Sequence, residues 1–173
     1  RERWPDLADD VLQQRAEDIA MGGLKFFLLR YAPATTFTFD RERSISIEGE
    51  TGAYCQYAYA RATSMLKKAG EVAPGIVPDY GALNMPQSVA VLRAMLAFPG
   101  EVESAAKELK PSLVTKAIYE LARSFAAFYN HPECRVIGAE PEVKAARLAL
   151  VSGARCILGA GLNLLGITPL DEM

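Results

Sequence analysis

Residues 51–69 of this 173-residue chain read Thr-Gly-Ala-Tyr-Cys-Gln-Tyr-Ala-Tyr-Ala-Arg-Ala-Thr-Ser-Met-Leu-Lys-Lys-Ala. At the roughly 100° turn per residue of an α-helix, these side chains separate into two stripes about a quarter-turn apart. The first stripe is largely apolar and consists of Cys55, Tyr59, Ala62, Leu66 and Ala69. The second stripe contains tyrosines and cations and consists of Tyr54, Tyr57, Ala58, Arg61, Met65 and Lys68. The stretch therefore predicts a helix, ended by Gly70, with one face suited to a core and a second face of different chemistry.

The second stripe has two interpretations. Tyr54 and Tyr57 stand about one turn apart, and Arg61 stands one turn further on, which suits stacking on unpaired nucleobases while the guanidinium binds a phosphate or a base edge. A tyrosine and methionine stripe at helical spacing is more often part of a buried core than a ligand platform, and the long cationic side chains would then extend from the edge of that core. The residues alone leave both interpretations open.

The remaining sequence also predicts helices. Residues 6–31 have a helical apolar period with Gly22-Gly23 as a kink or break, which gives two helices or one bent helix. Ala32-Pro33 should end this element, and residues 35–39 form a short strand or an extended connection.

Prolines and glycines mark the elements of the second half. Further helices are expected over 86–97, 101–109, from Pro111 through Phe128, and from Pro141 to a C-cap at Gly166. Phe98-Pro99-Gly100 is expected to break the first two of these apart, and residues 71–84 and 130–138 are expected to be a loop and a turn. The predicted fold is all-α, a bundle of five to seven helices.

Composition restricts the function classes. Half of the residues are apolar, so the chain is able to bury a core, whereas a net charge of −2 and a pI near 5.5 give no global support for a nucleic-acid partner. Three widely spaced cysteines form no Cys-x-x-Cys pair, which argues against a disulfide framework or a zinc site. With no uninterrupted apolar run of membrane length and no signal-peptide core at the start, we expect a soluble cytoplasmic protein without a membrane partner.

A search for catalytic chemistry finds little. Gly159-Ala160-Gly161 lies within a helical pattern and follows no predicted strand, so close helix packing explains it better than a phosphate loop. His131 is the single histidine and, although Cys134 is near, a turn position is favoured over a Cys/His dyad. The chain has the character of a binding module rather than of a self-sufficient enzyme.

Several segments together resemble the arginyl-tRNA synthetase family. The most specific is Thr-Gly-x-Tyr-x-Gln-Tyr-Ala-x-Ala-Arg over residues 51–61, and a second match includes Ala146-Arg147-Leu148, a form of the Ala-Leu-Arg core for which the anticodon-binding domain is named. Further matching segments are 23–29, 37–40, 119–122, 134–136 and 164–167. The resemblance spans nearly the whole chain.

The resemblance implies an all-helical anticodon-binding domain over residues 49–173, preceded by a connecting segment, 1–48, from a catalytic domain that this chain lacks. It implies an arginine tRNA as partner, recognised through its anticodon loop with a central cytosine. It also implies a monomeric enzyme that uses ATP with magnesium in the missing catalytic domain. The family's two ATP-binding signatures, of the His-Ile-Gly-His and Lys-Met-Ser-Lys types, do not occur here. We therefore expect a C-terminal fragment that holds no cofactor and is inactive alone.

Carried to matching positions, the family's anticodon contacts are Tyr54, Tyr57, Arg61, Tyr129 and Met173, and Lys68 extends the same helix face. The chain ends Leu-Asp-Glu-Met where Pro-Glu-Arg-Met is usual, so Glu172 replaces a cation beside the expected RNA surface. The alternative function is a helical protein-interaction module that uses the Tyr54/Tyr57 stripe as a docking patch. A small enzyme or ligand carrier is a third possibility, for which the sequence offers no convergent set of polar groups.

Overall fold

The computed structural model describes residues 8–32 and 34–173. Within them it contains six α-helices, two short 3₁₀ helices and no strand, which confirms the all-α prediction. The α-helices are α1 (Asp9–Leu29), α2 (Arg41–Ser44), α3 (Gly52–Ala69), α4 (Pro86–Glu108), α5 (Ser112–Asn130) and α6 (Pro141–Leu164), and the 3₁₀ helices are Tyr80–Leu83 and Pro132–Cys134. Residues 35–39 form the extended connection and not the strand. The predicted start of the first helix at residues 6 and 7, and Pro33, lie outside the described residues.

The core lies between α3, α4, α5 and α6. Helix α5 contributes its predicted apolar face, with Ile118, Leu121, Phe125 and Phe128 at most 1% exposed. Helix α6 packs against α3, α4 and α5, and its length and apolar composition alone would allow it to cross a membrane. Because 56% of its most apolar window is buried inside the protein, this composition is explained by its place in the core.

Helix α1 runs through Gly22-Gly23 without the predicted break. Both glycines are buried, and a Cβ atom placed on Gly52 at the start of α3 would overlap the carbonyl oxygen of Gly22. The glycines therefore allow close approach of the two helices, and the single-helix alternative is correct.

The predicted break at Phe98-Pro99-Gly100 is wrong, because α4 continues through all three residues. Phe98 is buried, and its ring lies 3.2 Å from where a Cβ of Gly161 would be, whereas Pro99 and Gly100 face solvent. Packing of α4 along α5 and against α6 therefore outweighs the missing N–H of Pro99.

The glycines of α6 serve helix packing, as the sequence predicts. A Cβ on Gly159 would stand 3.0 Å from the Tyr59 ring, and one on Gly161 would collide with the side chain of Ile118. Neither glycine belongs to a phosphate-binding loop, since both lie within a continuous helix.

Candidate nucleic-acid interface

Local signals fix the position of α3, the helix that carries most of the predicted site. The Thr51 hydroxyl accepts a hydrogen bond from the backbone N–H of Tyr54 (3.1 Å) and caps the N-terminus. Gly70 ends the helix with a φ of 67°, a left-handed conformation that favours glycine. Between these caps, Cys55 and Ala62 are fully buried, so the first stripe faces the core and the second stripe lies at its edge.

A surface pocket of about 350 Å³ lies between α3, the end of α5 and the C-terminal residues. It brings together four of the six predicted residues, Tyr57, Arg61, Tyr129 and Met173. The other lining residues are Ala60, Ser64, Asp171 and Glu172. The pocket thus contains two aromatic rings, a cation and the acidic end of the chain.

Arg61 is the centre of this pocket. Its guanidinium carbon lies 3.9 Å from the centre of the Tyr129 ring and 5.2 Å from that of Tyr57. Its Nη2 donates to Oδ1 of Asn130 at 3.4 Å. Since a guanidinium has five N–H donors, the side chain is fixed by two rings and one amide while keeping donors for a ligand.

Tyr54 is placed differently from Tyr57. It is half-buried against the core, with its ring 5.7 Å from that of Tyr119, and it does not line the pocket. Burial raises the pKa of the Tyr54 hydroxyl, and the nearby Tyr119 adds to this, while the cations Arg123 and Arg61 oppose it. The Tyr54 ring therefore packs against the core, as the core interpretation of the stripe predicts, and it lies beside the pocket rather than in it.

Lys68 is exposed and is not among the lining residues of the pocket. The preceding residue, Lys67, forms the contact with the C-terminal tail instead, 3.8 Å from the Glu172 carboxylate. Helical spacing alone does not separate these two lysines, because the tail that selects between them comes from the far end of the chain.

The predicted site residues do not include Asn130, which bonds Arg61, or Asp171 and Glu172, which line the pocket. Asn130 follows Tyr129 directly, so proximity in sequence is a signal for it. The acidic residues Asp171 and Glu172 line the pocket together with Met173, and their role depends on the fold of the tail.

His131 occupies the turn position favoured by the sequence. It caps the N-terminus of the 3₁₀ helix Pro132–Cys134, and its Nδ1 accepts a hydrogen bond from the backbone N–H of Glu133 at 3.3 Å. Cys134 is buried nearby, and within residues 8–32 and 34–173 no group of three or more His, Cys, Asp or Glu side chains is arranged to hold a metal ion.

The fold and the pocket define an all-α domain with an aromatic and cationic surface pocket. The sequence model of the DALR anticodon binding domain matches residues 55–173, which is more than half of the chain and includes every pocket residue. The chain belongs to the DALR anticodon-binding domain family.

Similar proteins agree on the family. The chain is 36% identical over 171 residues to the arginine–tRNA ligase of Methanocella arvoryzae and 37% identical over 172 residues to that of Ligilactobacillus salivarius. Each match covers 99% of this chain and 29% of the ligase. The chain thus spans less than a third of the length of these relatives.

Solved structures agree on the fold. The arginyl-tRNA synthetase of Thermus thermophilus superposes with a TM-score of 0.90 at 34% identity, over 99% of this chain and 29% of that one. The Plasmodium falciparum arginyl-tRNA synthetase gives a TM-score of 0.78 at 22% identity over 92% of this chain and 28% of that one, which supports the fold alone.

Proposed function

We propose that this chain binds the anticodon loop of an arginine tRNA, as the anticodon-recognition domain of an arginyl-tRNA synthetase. The observation that carries the proposal is the stacking of Arg61 against Tyr129 and Tyr57 in an open surface pocket, in a member of the DALR family. Unstacked bases of RNA loops are bound by such aromatic rings and guanidinium planes.

The pocket has the size and chemistry for one unpaired nucleotide. Tyr57 and Tyr129 offer ring faces, for which stacking contributes about 1–3 kcal/mol per base. Arg61 supplies donors for a base edge or a phosphate, and Asn130 orients it. The central cytosine that the family resemblance implies presents an amino donor and two acceptors, which matches a pocket that holds both a guanidinium and carboxylates.

Attachment of arginine belongs to the remainder of such an enzyme. We place ATP and magnesium in that remainder and none in this chain, and we propose a monomeric enzyme of the cytoplasm. Binding of the anticodon here would then help to orient the distant acceptor end of the tRNA in the catalytic domain. The division into a connecting segment, 1–48, and a binding domain, 49–173, remains part of this proposal, supported by a family match that begins at residue 55.

The alternative is a protein-interaction module that uses Tyr54 and Tyr57. The half-buried position of Tyr54 against Tyr119 leaves less of this stripe for a partner helix than the sequence predicts. An RNA site predicts affinity that falls as salt rises, because cations are released from the phosphates, whereas a largely apolar protein contact predicts little change.

The test is a titration of the chain and its variants with an arginine anticodon stem-loop. Tyr57→Ala removes a pocket ring, and Tyr80→Ala is its matched control, since Tyr80 is 61% exposed and lies outside the pocket. We expect the first to lower affinity about tenfold or more and the second to leave it unchanged. Equal affinities of both folded variants and the parent would refute the site.

A further inference from the structure

The C-terminal tail carries two acidic side chains directly before Met173. Together they pair with three cations, each from a different helix. The Asp171 carboxylate lies 3.3 Å from Nη2 of Arg155 on α6. The Glu172 carboxylate lies 3.6 Å from Arg15 on α1 and 3.8 Å from Lys67 on α3. The acidic ending that departs from the family pattern is therefore matched by cations of the bundle.

Besides Asp171, the Arg155 side chain contacts Thr63 and Tyr59 of α3. Its Nε donates to the Thr63 hydroxyl at 2.8 Å, and its guanidinium carbon lies 4.9 Å from the centre of the Tyr59 ring. Thr63 in turn donates to the Asp171 carboxylate at 3.4 Å. Thr63 is buried, so the tail meets a fixed pair of groups and not two flexible surface chains.

A backbone contact holds the tail just before these residues. The buried Gln56 donates from Nε2 to the carbonyl oxygen of Thr168 at 2.8 Å. Beyond Thr168, Asp171 contacts Thr63 of α3 and Arg155 of α6, and Met173 lines the pocket together with Tyr57 and Arg61. Arg155, paired with Asp171, is thus positioned to hold the residues that lead to Met173.

We propose that Arg155, acting through Asp171, is a positioning residue that seats Met173 in the pocket and offsets the negative charge of the tail. This inference rests on the proposed RNA-binding function. The two acidic side chains would otherwise repel the phosphates of the same ligand that the Tyr57, Arg61 and Tyr129 side chains attract. With Arg155, Arg15 and Lys67 in place, Met173 forms a wall of the site.

Arg155 is expected to affect RNA binding more than folding. Its guanidinium is about a third exposed and the Asp171 carboxylate more than half exposed, so solvent screens the pair and it adds little to global stability. The effect of the pair is expected on RNA affinity and on the surroundings of Met173.

The experiment compares Arg155→Gln, Asp171→Asn and the double variant with Arg155→Lys, which keeps a cation. Arg123→Gln is the matched control, because Arg123 is an exposed arginine paired at 2.7 Å with Glu120 outside the pocket. The readouts are affinity for the anticodon stem-loop and the NMR signal of the Met173 methyl group in methionine-labelled protein. A variant that ends at Glu172 assigns that signal and gives the affinity without Met173.

We expect Arg155→Gln to weaken binding about three- to fivefold, and Asp171→Asn to weaken it less, because the loss of tail positioning is partly offset by removal of one negative charge beside the RNA. The double variant should lose no more affinity than Arg155→Gln alone, Arg155→Lys should recover part of the loss, and Arg123→Gln should have no effect. The Met173 methyl signal should move toward that of a disordered methionine in the two weakened variants.

The experiment distinguishes failure of the positioning role of Arg155 from failure of the proposed RNA-binding function. If Tyr57→Ala weakens binding while Arg155→Gln and Asp171→Asn do not, and the Met173 signal stays in place, the positioning role is overturned and the proposed function stands. If the parent does not bind the RNA, the proposed function fails. The methyl signal then still decides whether Arg155 seats the tail. Should Arg155→Gln not fold, Asp171→Asn on the exposed tail gives the same decision.

Discussion

The guanidinium of Arg61 lies 3.9 Å from the centre of the Tyr129 ring, which links the middle of α3 to the last turn of α5. Helical spacing places Tyr57 one turn before Arg61, whereas Tyr129 arrives from a distant part of the sequence. The contact thus converts a stripe on one helix into a pocket between two helices. A guanidinium held over an aromatic ring is a contact that lysine does not reproduce with the same geometry.

Arg61→Lys should therefore weaken binding of the anticodon stem-loop even though the charge is kept. We expect a loss of about tenfold, because a lysine supplies a point charge without the planar stack and without the fork of donors. The measurement is the same stem-loop titration, with Arg93→Lys on the exposed side of α4 as control. Parent-like affinity of Arg61→Lys would show that only the charge of Arg61 contributes.

Gly52→Ala should destabilise the domain by about 1–3 kcal/mol, because its Cβ would overlap the carbonyl oxygen of Gly22 where α1 and α3 cross. Unfolding in urea measures this loss. Gly100→Ala in α4 is the control, since a Cβ there meets no atom within 4 Å, and helix propensity predicts a gain of up to about 1 kcal/mol. An unchanged free energy of unfolding in Gly52→Ala would show that α1 and α3 move apart without a loss of stability.

Pro99→Ala should increase the free energy of unfolding by about 1–2 kcal/mol. Alanine restores a backbone N–H in the middle of α4, and this gain exceeds the lost rigidity of the unfolded chain. Pro86→Ala gives the comparison, because Pro86 starts α4, where proline is favoured, and no gain is expected there. A destabilised Pro99→Ala, measured in urea, would indicate that the proline ring itself supports the helix.

Tyr54 should ionise at a higher pH than an ordinary tyrosine, whose pKa is 10.0, because burial disfavours the phenolate. Below pH 10 the Tyr54 hydroxyl is neutral in the folded and in the unfolded protein, so its contribution to the free energy of unfolding does not change with pH there. That contribution is lost as pH rises through the raised pKa of the folded state. Phenolate absorbance of the parent against Tyr54→Phe measures this titration.

A Tyr54 that ionised at or below pH 10 would contradict the half-buried position assigned to its ring. It would also return Tyr54 to the set of residues open to a ligand.

The helix over 52–69 was predictable because its signals are local. Thr51 and Gly70 cap it, and its apolar period identifies the buried Cys55 and Ala62. The predicted break at Pro99 fails for the opposite reason, since packing of Phe98 against the neighbouring helices outweighs local propensity.

Some residues of the candidate site could likewise be predicted from the sequence, whereas others depend on the tertiary structure. Tyr57 and Arg61 follow from spacing, and Tyr129 and Met173 follow from resemblance to a family. Arg155 carries no signal in the sequence, because its partner Asp171 reaches it only through the path of the C-terminal tail. The separation of Tyr54 from Tyr57 likewise depends on the position of Tyr119 on another helix.

The most direct test of anticodon recognition is a titration of this chain with arginine tRNA beside the same tRNA with its central anticodon cytosine replaced, at low and at high salt. Recognition of the anticodon predicts about tenfold or tighter binding of the unaltered tRNA, a ratio that persists while both affinities fall with salt. Equal affinities for the two tRNAs at both salt concentrations would contradict the account.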